Sequence, residues 1–198
     1  MDKLIILFVE GDTDEVFFKQ LLSYYAGVSK MPLLPCKICN LHGVTRYSTK
    51  LLAKLKNEFV PATKQKNISI EAVCCSYDTD VFDACNPMIV NWTSLRSNIL
   101  KMGVQKFVQL DINSSIEDWI LCDLSGICDF LKLKEVPKYL KGADGNAKLT
   151  NLYSKVNKVY QKGYQAKALI TALDMALIRE KNKTVLADLE NVLGVMAQ

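Results

Sequence analysis

Four acidic residues stand where apolar runs end. Glu10 closes LIILFVE, Asp78 and Asp80 follow AVCCSY in a DxD pattern, and Asp111 closes KFVQLD. Carboxylates crowded together repel and raise one another's pKa, so such a cluster is costly unless a cation occupies it. Oxygen donors of this kind favour Mg²⁺ or Mn²⁺. An ion held there neutralises a phosphate and lowers the pKa of an attacking water, which is the chemistry of phosphodiester hydrolysis. The DxD spacing has its own reason, because residues i and i+2 of an extended segment project to the same side and reach one ion together. Taken singly, each of these acids also reads as a helix cap or a solvated loop residue. Their conjunction is what points to a site.

Other residues fall near the same place. Glu117 and Asp118 open a helix just beyond the run that ends at Asp111. Ser114 with Glu117, or Ser115 with Asp118, has capping-box spacing, while Glu117 also reads as a further metal ligand. Asp12 and Asp14 stand one and three residues past Gly11, where either could support the metal ligands, but capping the helix after Glu10–Gly11 explains them. His42, the only histidine, lies with Gly43 and Arg46 after the second strand and is a candidate for contacting a phosphate. Cys36 and Cys39 form a CxxC, but in a strand residues three apart face opposite ways, and no second pair follows, so a zinc site is not expected.

The elements that must position these residues alternate. Strands are expected at 3–9, 36–41, 68–76 and 106–111, with helices capped by Asp12 or Thr13 after the first, near 44–59 after the second, and at 91–102 after the third. The pattern predicts an α/β fold whose mostly parallel sheet is flanked by helices and gathers all strand carboxyl ends at one edge. From 113 onward the sequence reads as helices near 115–123, 125–131, 148–162, 165–180 and 183–195, a helical extension packed on the 1–112 unit. On the expected helix 148–162, Lys148, Lys155, Lys158 and Lys162 share one sector opposite Leu149, Leu152, Val156, Val159 and Tyr160. That is a solvated lysine face or, with Lys138 and Lys141, a track for a nucleic-acid backbone.

Composition bounds these readings. The chain has 198 residues, 49% hydrophobic and 23% charged, enough for one sizeable core and unlike a disordered segment. A net charge of +4 makes any attraction of a polyanion depend on local clustering. Seven cysteines, most inside apolar runs, fit a reducing, cytoplasmic setting, and neither a signal peptide nor a membrane span is expected.

LIILFVEGDTDEVFF followed by AVCCSYDTD resembles the Toprim domain of bacterial primases, topoisomerases and OLD-type nucleases. The match covers residues 3–112, with Glu10–Gly11 standing for the family's Glu-Gly and Asp78 and Asp80 for its DxD. The resemblance implies a Rossmann-like Toprim fold, a general acid or base at Glu10, and Mg²⁺ at Asp78 and Asp80. It further implies a nuclease acting on RNA or DNA, nearest to the stand-alone and OLD-type members associated with phage defence. VFDACNP, after the DxD, lacks the glycine and glutamate of the small ribosomal-RNA maturases. That departure keeps open a second reading, a non-catalytic module binding nucleic acid or a partner ATPase, and self-association into a homo-oligomer is admitted by either. A haloacid-dehalogenase phosphatase also uses DxD, but there the pair should follow the first strand.

Overall fold

The computed structural model describes residues 2–80 and 89–196; the VFDACNP stretch and Cys85 lie outside the described residues. Its four strands are β1 (Asp2–Val9), β2 (Cys36–Asn40), β3 (Ile68–Asp78) and β4 (Lys106–Ile112). They form one all-parallel sheet in the order β2-β1-β3-β4. β1 is buried on both faces, with Ile5 through Val9 fully shielded from solvent, which is why this strand reads as an unbroken apolar run and not an alternating one. Each such side chain contributes roughly 1.5–3 kcal/mol through burial.

The pleat divides the core in two. Ile5, Leu7, Val9, Cys74 and Leu110 face α1 (Asp12–Val28) and the carboxyl-terminal helices. Ile6, Phe8, Val73, Cys75 and Tyr77 face the opposite layer, α2 (Arg46–Lys54), α3 (Val60–Gln65) and α4 (Trp92–Lys101). Cys36 packs on the first side and Cys39 on the second, as the strand parity of the CxxC required.

The helix expected near 44–59 is longer. α2 runs through a π-helical turn at Leu55–Phe59 into α3, so the chain stays helical to Gln65. Thr63 is absorbed there because its hydroxyl donates to the Phe59 carbonyl at 2.9 Å. The cap of α1 also differs from expectation. Gly11 is the N-cap, and Asp12 and Thr13 sit inside the first turn.

The tail shares the core of the sheet. It comprises α5 (Ile116–Ile120), α6 (Leu124–Leu131), α7 (Gly145–Ser154), α8 (Lys167–Ala172), α9 (Met175–Lys181) and α10 (Lys183–Leu193). Trp119 on α5 packs edge-on against Phe17 of α1, ring centroids 5.9 Å apart, and Leu186, Leu189 and Leu193 of α10 join the same cluster. Among the described residues no helix is long and apolar enough to cross a membrane.

The helix expected over 148–162 stops at Ser154. Asn157 adopts a left-handed φ of +54°, and the amide of Lys158 donates back to the Tyr153 carbonyl at 3.1 Å, the Schellman pattern that ends a helix. Val159 is consequently 74% exposed while Tyr160 is buried, and the four-lysine stripe does not form. The helix expected over 165–180 is likewise two, divided at Leu173–Asp174, where Asp174 accepts from the amides of Ala176 and Leu177.

Candidate active site

The chain leaves β1 toward β2 on one side and leaves β3 toward β4 on the other. The crevice at the carboxyl ends of β1 and β3 is therefore the topological switch point, where ligands of open α/β sheets bind. Glu10 and Asp78 stand there side by side. The Asp78 amide donates to Glu10 Oε2 at 3.3 Å although the residues are 68 positions apart. Beneath them Tyr47, fully buried on α2, donates its hydroxyl toward the carbonyls of Phe8 and Ser76, one from each strand.

An open cleft of about 450 Å³ covers this edge. Its walls include Glu10, Asp12, Asp14, Asp78 and Glu117, against Lys162 and His42 as the basic side chains. Five acids facing one lysine and one imidazole make the cleft by itself hostile to a phosphate. Burial, and then the neighbouring charges of Asp14, Glu10, Glu117 and Asp80, push Asp78 up to about 9. Asp14 is pushed up to about 7, chiefly by burial and then by Glu10. Glu10 is raised as well, again mainly by burial.

Asp14, read from the sequence as a cap in preference to an acid supporting the metal ligands, has a different place. The structure turns it inward on the first turn of α1, 5% exposed, with Oδ1 meeting no hydrogen-bond partner among the described residues. Four residues after Glu10 and in the first turn of α1, it returns to the strand end. Glu117 is nearly fully buried at the start of α5. The Ser115 hydroxyl there donates to the Asp118 carboxylate at 2.9 Å, and the first free amide, Ile116, donates to Asp78 Oδ1 at 3.0 Å.

Lys162 arrives in an extended segment, not on a helix, and its Nζ lies 3.2 Å from Glu117 Oε1. Next to it Gly163 has φ +76°, and its amide donates to Thr13 Oγ1 at 2.8 Å. A Cβ at Gly163 would stand 3.3 Å from Asp12 Cβ, so glycine answers both the backbone conformation and the close approach. His42 sits at the rim with Nδ1 3.5 Å from Asp12 Oδ1.

The remaining sequence candidates lie elsewhere. Asp80 is exposed at the rim, close enough to raise Glu10 and Asp78 electrostatically. Asp111 does not line the cleft. β4 continues to Ile112, and Asp111 pairs in register with Tyr77, whose hydroxyl it accepts on the opposite sheet face. Arg46 donates to the Leu41 carbonyl at 3.0 Å, and Lys148 is paired with Asp118 at 3.3 Å. Lys155 and Lys158 are exposed beyond the end of α7.

No protein-family model matches the chain, and no curated protein matches it significantly. Its structure is similar to a solved one. That structure is the C-terminal region of the Burkholderia pseudomallei OLD protein, matched with a TM-score of 0.38 and 17% identity over 93% of this chain and 97% of that one. At that distance residue roles rest on this chain's own geometry.

The donor set fits a hard divalent cation. It is all oxygen, it includes a buried carboxylate atom with no partner, and its members raise one another's pKa in a way a positive ion would reverse. Among the described residues no three acid, histidine or cysteine side chains form a ready-made cage. Mg²⁺ suits such an arrangement, since it keeps several waters and takes only one or two carboxylates.

Proposed function

We propose that the chain is a metal-dependent nuclease of Toprim type, hydrolysing phosphodiester bonds of RNA or DNA in the cleft at the carboxyl ends of β1 and β3. The observation that carries this reading is the meeting of Glu10 with Asp78, joined by Asp14 and Glu117, at the switch point of a parallel sheet. The order Glu-Gly then DxD along a βα series supports it from the sequence side.

In this reading Asp78 and Asp14 hold Mg²⁺ or Mn²⁺, with Glu10 beside them, Asp80 nearby and Glu117 behind them. The ion, when bound, supplies positive charge for the phosphate and acidifies the attacking water. Glu10, partly buried and with its pKa raised, is suited to hold and pass a proton. Lys162 offsets the charge of Glu117 and lies where it can approach a phosphate oxygen. His42, at the exposed rim, contacts the strand as it enters.

The test is incubation of the pure chain with mixed RNA and DNA, with and without divalent ions, followed by mapping of cut ends. Cleavage that needs Mg²⁺ or Mn²⁺ and disappears in Asp78→Ala, while that variant keeps its circular dichroism, is the expected result. Cleavage by Asp78→Ala at the native rate overturns the assignment.

A further inference from the structure

The loop between α6 and α7 gathers positive charge. Its ten residues 132–141, KLKEVPKYLK, carry four lysines and one glutamate, a net +3, in a chain whose total is +4. None of Lys132, Lys134, Lys138 or Lys141 forms an ion pair with a described residue. Charge of this kind is usually dispersed and paired over a surface; here it is gathered and free to meet an anion.

An aromatic ring stands in the middle of it. Tyr139 is 88% exposed, a larger fraction than any other large apolar side chain among the described residues. The residue after it, Leu140, is tucked against the core, as is Leu133 at the other end of the loop. The ring is therefore displayed from a segment pegged at both ends. Exposing a tyrosine in this way gains nothing for the fold.

The loop also leads to the cleft. Asp144 caps α7 by accepting from the Ala147 amide at 2.7 Å, and Gly145 follows against the start of α5. A Cβ at Gly145 would stand 2.9 Å from Glu117 Cβ, so the helix end and the cleft wall touch. Tyr139 lies six positions before Gly145, which bounds its Cα to about 20 Å of that wall.

We propose that residues 132–141 form a single-strand nucleic-acid platform, with Tyr139 stacking on an unpaired base and Lys138 and Lys141 meeting the flanking phosphates as the strand passes to or from the acidic cleft. A lysine cluster alone would hold single strand and duplex alike. An exposed ring among lysines discriminates, because only an unpaired base offers a free face to stack on. The proposal rests on the nuclease reading only for the direction of the strand.

The deciding experiment is fluorescence anisotropy with labelled DNA and RNA, each as single strand and as blunt duplex, using the whole chain in EDTA so that cleavage plays no part. The native chain should hold single strands more tightly than duplex. Tyr139→Ala should weaken single-strand binding roughly tenfold while leaving its salt dependence intact, and Tyr139→Phe should bind as the native chain does. Lys138→Gln with Lys141→Gln should reduce the slope of log affinity against log salt by about 0.7 for each phosphate no longer neutralised. Native affinity in Tyr139→Ala, equal losses for single strand and duplex, or no binding to any probe overturns the proposal. A chain that binds through Tyr139 yet cleaves nothing with any metal sinks the nuclease reading and leaves the platform standing. Ion-dependent cleavage with unaltered Tyr139→Ala binding does the reverse.

Discussion

Lys162 Nζ lies 3.2 Å from Oε1 of Glu117, a carboxylate that is almost wholly buried. Removing one partner of such a pair strands the other's charge, whereas removing both does not. Lys162→Ala should therefore cost about 1–3 kcal/mol, and Lys162→Ala combined with Glu117→Gln should recover much of it. Urea denaturation of the two single variants and the double variant closes the cycle. Additive losses would show that the pair is not coupled.

The pH dependence of stability follows from Asp14 and Asp78, pushed up to about 7 and about 9 from an unfolded value near 3.9. Between those limits the folded chain binds more protons than the unfolded one, so stability is greatest below about pH 4 on account of these groups and falls as pH rises toward 9. Urea midpoints in the absence of divalent ions should fall from pH 5 to pH 8. Asp78→Asn, which never acquires the buried charge, should flatten that slope.

A divalent cation should reverse the effect, since a positive ion favours the ionised form of both acids. At pH 8, Mg²⁺ at a hundred times its dissociation constant adds about 2.7 kcal/mol to the folded state. Thermal melts should rise with Mg²⁺ in the native chain and rise much less in Asp78→Asn. Equal shifts in both would place the ion somewhere other than the cleft.

Tyr47 ties the ends of β1 and β3 together through the Phe8 and Ser76 carbonyls. Tyr47→Phe keeps the ring and leaves buried acceptors unsatisfied, at a cost of about 1–3 kcal/mol. The shift should appear in the denaturation midpoint without a change in m. A midpoint within error of the native chain would mean that water replaces the hydroxyl.

The sheet could be read from the chain because its strands are short apolar runs ended by acids, and burial on both faces leaves few other ways to accommodate such runs. Glu10 and Asp78 were legible for the same reason: a strand end is fixed by topology, and a parallel sheet brings all such ends to one edge. Asp111 was misplaced by a single residue of strand length, since one step along a pleat moves a side chain to the other face. Asp14 was passed over because an acid in the first turn of a helix already has an ordinary explanation, and only the tertiary fold shows it turned inward. The lysine stripe failed at Asn157. Helical spacing of apolar residues continues past it, but a single left-handed residue ends the helix, and nothing in the periodicity records that. Lys162 was thus grouped with lysines from which the structure separates it.

The acids of the cleft come from before residue 81 and after residue 115, so its two walls belong to distant stretches of the chain. Glu117, Lys162 and Gly163 are contributed by the tail, and they meet Glu10, Thr13 and Asp78 only when both stretches have docked. A fragment ending at β4 would keep the sheet's sequence and Glu10, Asp14 and Asp78, and would lose the wall built by Glu117 and Lys162. The cleft is complete only when both stretches are in place.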